Sequence, residues 1–135
     1  MKLFIDTNIV LDILQKREPF FMASYQAIRR ALSQNAVCLF SASSVTDVFY
    51  VLRRATHDNT QAKHAIETLS HIVVFADVQD VDIFTALELD MRDFEDAVVS
   101  AVAERHRANY ILTRNSKDYT GSPVPVLTPE SFLLL

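Results

Sequence analysis

Glycine is almost missing from this chain: Gly121 is the only one in 135 residues. Loops that cradle phosphates in the P-loop or dinucleotide manner need several glycines for close backbone approach. Folds built around a nucleotide cofactor of those kinds are therefore excluded. The Gly-x-Ser-x-Gly elbow of a Ser–His–Asp hydrolase is excluded for the same reason. Cysteine is equally scarce. Cys38 stands alone, so there is neither an internal disulfide nor a thiolate metal cluster, and between Val37 and Leu39 it reads as a small apolar core residue. No apolar stretch approaches the roughly 18 residues of a spanning helix. The opening MKLFIDTN also lacks the basic region and apolar run of a secretion signal. A cytoplasmic protein with no membrane association is expected. Positive charge is in deficit too, with 13 Lys and Arg against 17 Asp and Glu and a net charge of −4. That argues against gripping nucleic acid by a broad basic surface. It leaves room for a nuclease in which a bound cation and a few local basic residues attract phosphate.

What is present is a regular alternation. Lys2 to Ile5 (KLFI), Val37 to Phe40 (VCLF), Ile72 to Phe75 (IVVF) and Tyr110 to Thr113 (YILT) read as short buried strands, with Val124 to Leu127 as an edge segment. Between them lie helical patterns. The first covers Ile9 to Leu14 behind the cap residues Asp6-Thr7-Asn8, and the second opens at Pro19 and runs to about Ser33. A third runs from the Ser41 to Ser44 caps to about Ala55, followed by Thr60 to His71, Val81 to Leu89 and Asp93 to Arg107. Pro129 is placed to open a last turn. The length suits one domain covering residues 1–135. Strands alternating with helices predict an α/β fold, a three-layer α/β/α sandwich around a mostly parallel sheet of four to five strands. Sites in such folds lie beyond the carboxyl ends of the strands.

That rule selects acids. Asp6 closes the first strand, Asp47 lies early in the helix after the second, Asp93 and Asp96 open the helix before the fourth, and Asp118 follows it in TRNSKDY. Each alone is served by a capping role, favourable by about 0.3–1 kcal/mol at a helix dipole. Gathered at one sheet edge they would repel, by roughly 4 kcal/mol for a pair near 4 Å at an effective dielectric of 20. Such a cluster calls for a hard cation, Mg²⁺ or Mn²⁺, and phosphodiester cleavage is its natural chemistry. From the pattern alone, capping acids and a metal site both remain open.

Four stretches in order, FIDTNIVLDIL, SASSVTDVFYVL, DFEDAVVSAVA and ILTRNSKDY, followed by PVPVLTPESF, resemble the successive motifs of a PIN domain, in particular the bacterial branch whose fourth motif reads Thr-Arg-Asn-x-x-Asp. The resemblance implies a metal-dependent ribonuclease of α/β/α fold, in many bacterial cases the toxin of a VapBC-type toxin–antitoxin pair. It further implies RNA as substrate, an antitoxin as partner, and a homodimer. Carried onto this chain, it makes Asp6 and Asp96 the principal metal ligands and puts Asp47 at the second-motif acid position, more often Glu in the wider family. Asn115 stands where many members have Asp, and Asp118 lies three residues on; either residue is placed to face the metal. Asp118 is assigned as ligand and Asn115 as a polar orienter. Asp47 or Asp118 is the candidate to deprotonate water. Asp93 is either a supporting acid or a cap. Thr7 and Asn8 are expected to fix the Asp6 carboxylate through local hydrogen bonds, and Thr113 to steer Asp118 or a phosphate. Asp12 falls outside the metal set.

Arg114 and Lys117 flank the proposed site and are the expected contacts to RNA phosphates. His57, His64 and His71 recur every seven residues, which is not the spacing of a helical metal pair, and they read as surface residues. A haloacid-dehalogenase-like phosphatase would need a second Asp where Asn8 stands, and a receiver domain would need an acidic pair and a late lysine that are not evident. The reading is an endoribonuclease. The alternative is a PIN fold with weak or no catalysis that serves as a protein-interaction or RNA-binding module.

Overall fold

The structure, a computed structural model, describes residues 1–135. Five strands, β1 (Lys2–Ile5), β2 (Val37–Ser41), β3 (Val74–Ala76), β4 (Tyr110–Leu112) and β5 (Val126–Leu127), form one sheet in the order β3-β2-β1-β4-β5. Every neighbouring pair is parallel. The helices are α1 (Thr7–Leu14), α2 (Phe21–Ser33), α3 (Val45–Thr56), α4 (Asn59–Ser70), α5 (Asp80–Glu88), α6 (Phe94–Arg105) and α7 (Pro129–Leu133). Single 3₁₀ turns at Ala42–Ser44 and Ser116–Tyr119 follow β2 and β4. No helix is long and apolar enough to cross a membrane.

The strands are apolar throughout because both sheet faces are covered. Leu3, Ile5, Cys38, Phe40 and Leu112 pack with α1 to α4 and with Phe132 of α7. The alternate residues Phe4, Leu39, Ala76 and Ile111 face the opposite way, onto Val99, Val102 and Ala103 of α6. This period of two, read across neighbouring strands, produces the predicted three layers. Cys38 is buried, and burial pushes its thiol up to about 11, so it behaves as the expected apolar core residue.

Three boundaries differ from expectation. The third strand begins at Val74 rather than Ile72, because the N–H groups of Ile72 and Val73 are taken by the Leu69 carbonyl at the end of α4. Pro19 does not open the second helix. It lies in a turn that the Phe21 N–H closes on the Arg17 carbonyl at 2.7 Å, and α2 starts at Phe21. Asp93 is not the first residue of α6 but its cap. The lone glycine has a conformational reason: Gly121 has a φ of 94°, and a β-carbon there would collide with the Asp90 carbonyl oxygen.

Candidate functional site

The register of β1 against β4 builds the centre of the site. Ile5 pairs with Leu112, so the next residues of the two strands, Asp6 and Thr113, emerge side by side at the carboxyl edge of the sheet. The Thr113 hydroxyl donates to Asp6 Oδ2 at 2.8 Å, and the Thr7 N–H donates to Asp6 Oδ1 at 2.7 Å, which also caps α1. Asn8 Nδ2 lies 3.4 Å from both Asp6 Oδ2 and Thr113 Oγ1. Asn8 Oδ1 accepts the Arg114 N–H at 3.3 Å, and Thr113 Oγ1 accepts the Asn115 N–H at 3.1 Å. Asp6 is thus held by local donors, as expected for Thr7 and Asn8, with Thr7 acting through its backbone. Thr113 serves Asp6 rather than Asp118 or a phosphate, a correction that follows from the strand register.

Asp96 approaches from α6, in the first turn, where Asp93 accepts its N–H at 3.0 Å. Of the two roles expected for Asp93, the cap is the one its side chain performs. Burial, followed by the charges of Asp6, Asp93, Asp118 and Glu95, pushes the Asp96 carboxyl up to about 7. Asp6 is raised as well, chiefly by burial and with a contribution from Asp118, against the lowering effect of the Thr113 and Thr7 hydrogen bonds and of the nearby Tyr119 hydroxyl. Asp118 sits exposed in the Ser116–Tyr119 turn, and its charge bears on both Asp6 and Asp96. Asn115 contributes a backbone N–H to the Thr113 hydroxyl.

Two participants escape the sequence. Glu95 is raised by burial and then by Asp47, Asp93 and Asp6, so it links the exposed Asp47 on α3 to the central pair. Its signal was its position between two acids in DFEDA. Tyr119 is 3 % exposed, and its hydroxyl is fully buried beside Asp6 and Asp96 without completing a hydrogen bond to either. Burial and the two neighbouring charges hold the phenol protonated, far above its ordinary value. Nothing in TRNSKDY announces that this aromatic turns its hydroxyl back to the end of β1.

The donors are all oxygens. No three His, Cys, Asp or Glu side chains stand close enough together to hold a metal ion between them. Asp47, placed in the metal set from sequence, acts on Glu95 and stays at the margin. The chemistry of the donors suits a hard divalent cation held by one or two carboxylates with water completing the shell. Asp96, raised toward neutrality by burial and then by its acidic neighbours, is a group that either a proton or a cation would satisfy.

The sequence pattern of the PIN domain family matches residues 2–117. The chain belongs to that family. A relative, ribonuclease VapC1 of Aquifex aeolicus, is 29 % identical over 136 residues, covering 97 % of this chain and 92 % of the relative. VapBC2 of Rickettsia felis, bound to a DNA fragment from its promoter, shares the fold with a TM-score of 0.75 at 15 % identity, covering 95 % and 98 % of the two chains. A toxin–antitoxin complex from Klebsiella pneumoniae has a TM-score of 0.69 at 24 % identity, covering 94 % and 97 %. VapC20 of Mycobacterium tuberculosis, a toxin that cleaves the sarcin–ricin loop, has a TM-score of 0.62 at 18 % identity, covering 81 % and 86 %. The matched span of this PIN domain contains Asp6, Asp47 and Asp96 and stops one residue short of Asp118.

One expected phosphate contact of the PIN domain is already occupied. Arg114 Nε donates to the buried Asp12 Oδ2 at 2.7 Å, and its guanidinium lies 3.9 Å from the centre of the Phe20 ring. Its Nε serves the fold, because Asp12 has lost its water and needs a counter-ion. Lys117 is exposed. His57, His64 and His71 are exposed as expected, and His106 pairs with Asp77 at 2.9 Å.

Proposed function

We propose that this protein is a divalent-metal-dependent endoribonuclease, using Mg²⁺ or Mn²⁺, and the toxin of a toxin–antitoxin pair. The observation that carries this reading is the pair of strand-end and helix-start carboxylates, Asp6 and Asp96, both raised above their ordinary values. Support also comes from the kinship with ribonuclease VapC1 along nearly the whole length of both chains.

Asp6 and Asp96 are the residues to hold the cation, with Asp118 beside them. A bound Mg²⁺ or Mn²⁺ would polarise the phosphodiester and lower the pKa of a coordinated water. The chain's own groups do the rest. Thr113, Asn8 and the Thr7 N–H fix the Asp6 carboxylate, so little reorganisation is needed as charge develops. Asp118, exposed at the rim, is placed to accept a proton from water, and the exposed Lys117 in the same turn attracts the phosphate backbone without reading sequence.

Two surfaces suit the partners. An apolar groove lined by Val10, Ile13 and Leu14 of α1, Ile28 and Leu32 of α2, and Ile72 offers a seat for apolar side chains of an antitoxin. Phe84 and Leu87, three residues apart on α5, are exposed apolar side chains suited to a second copy of the chain.

The test is cleavage of total cellular RNA by purified protein with Mn²⁺ or Mg²⁺, against EDTA and against an Asp6→Asn, Asp96→Asn double variant. Cleavage should require metal. The double variant should lose more than about 100-fold, beyond the 10–100-fold typical for loss of a supporting group. Equal activity of wild type and variant would reject catalysis and leave the protein-interaction reading. That reading also draws on the marginal position of Asp47.

A further inference from the structure

Three buried side-chain polar atoms lack a hydrogen-bond partner: Asp12 Oδ1, Ser100 Oγ and the Tyr119 hydroxyl. Only the last faces the acidic site. Packing accounts for the ring of Tyr119, which belongs to the same buried apolar cluster as Phe4, Leu39, Val102 and Ile111. It does not account for the hydroxyl, since a phenylalanine would fill the same space without leaving a buried donor unused.

The two acids beside that hydroxyl are unequally served. Asp6 already receives the Thr7 N–H, the Thr113 hydroxyl and the Asn8 amide. The Asp96 carboxylate receives no hydrogen bond from the chain, although its own N–H is capped by Asp93. A carboxylate that must hold a cation in fixed geometry is ordinarily oriented by a neighbouring donor. Tyr119 is the donor at hand. Its phenol can give only one hydrogen bond, and of the two neighbours Asp96 is the one that needs it.

We propose that Tyr119 is a positioning residue for the divalent cation: its hydroxyl orients the Asp96 carboxylate, as Thr113 orients Asp6. The inference rests on the metal-dependent reading above and deepens it by assigning each of the two principal carboxylates its own hydroxyl donor, one from the end of β4 and one from the turn that follows.

The test is Tyr119→Phe, read without RNA. Binding of Mn²⁺ is followed by the loss of the free-ion signal in electron paramagnetic resonance, and the thermal midpoint is measured in EDTA. The expected result is a cation-free midpoint at or above that of the wild type, because the unused buried hydroxyl is gone. The Kd for Mn²⁺ should rise about 10-fold or more. Equal Mn²⁺ affinity in the two proteins would overturn the inference while leaving the metal reading intact. A lowered midpoint in EDTA would also overturn it, by showing that the hydroxyl serves the fold. If the wild type itself binds no Mn²⁺, the metal reading fails and this inference falls with it.

Discussion

The Thr113 hydroxyl stands between the two halves of the candidate site. It donates to Asp6 at 2.8 Å while accepting the Asn115 N–H at 3.1 Å, so one oxygen couples the first acid to the loop that carries Asp118. Thr113→Val keeps the shape and removes the donor. We expect Mn²⁺ affinity and RNA cleavage to fall by about 10–100-fold, the range typical for loss of a group that orients a metal ligand. Thr113→Ser, which keeps the donor, should retain most of both. Equal activity of the valine and serine variants would show that the hydroxyl is not used. At this scale the acids and the local donors Thr7 and Asn8 were legible in the sequence, and the distant donor Thr113 was not. Asp6, Asp96 and Asp118 follow from the rule that parallel strands end at the site. That Thr113 serves Asp6 depends on a register between residues 107 positions apart, and no local pattern encodes it.

Among elements, one contact ties the loop of the candidate site to the first two helices through Arg114. The guanidinium joins the loop after β4 to Asp12 of α1, and Asp12 in turn accepts the Ser24 hydroxyl of α2 at 3.2 Å. Phe20, just before α2, covers the guanidinium. Asp12 is fully buried, so losing its counter-ion would strand a charge, and breaking such a pair typically costs about 3–5 kcal/mol. Arg114→Met should therefore lower the unfolding free energy by roughly 3 kcal/mol in urea titration. Adding Asp12→Leu should recover most of that loss, because an apolar pair leaves no charge stranded. A single variant as stable as the wild type would mean that Asp12 finds another partner. The expectation that Arg114 meets RNA came from its place beside the acids, 102 residues from its partner. The elements themselves were largely legible, since apolar runs alternating with helical periods leave few arrangements. Their ends were less so. Ile72 and Val73 look like strand by composition, but their N–H groups close the last turn of α4.

For the molecule as a whole, acids with opposite shifts set opposite limbs of the stability profile. Asp82 is desolvated, which would raise it, but hydrogen bonds from Arg105 at 2.8 and 2.9 Å prevail and its carboxyl is lowered. A lowered carboxyl contributes stability that is present above its ordinary value and is lost as pH falls through the folded one. Asp96 has the reverse sign. Its folded value of about 7 lies above the ordinary 3.8, so the native state binds the proton more tightly than the unfolded chain does. Its contribution is complete below the ordinary value and is lost as pH rises toward about 7. Asp6 and Glu95, raised by burial and by the same group of acids, act in the same direction. In EDTA the thermal midpoint should therefore decline across the interval between those two values and level off above about 7. Asp96→Asn, which cannot ionise, should flatten much of that decline. Added Mg²⁺ or Mn²⁺ should restore the midpoint most where Asp96 is ionised, because cation and proton compete for the same carboxylate. A midpoint in EDTA that stays level or rises across this interval would mean that the acids at the sheet edge do not strain the fold, and would remove the electrostatic argument for a cation between them.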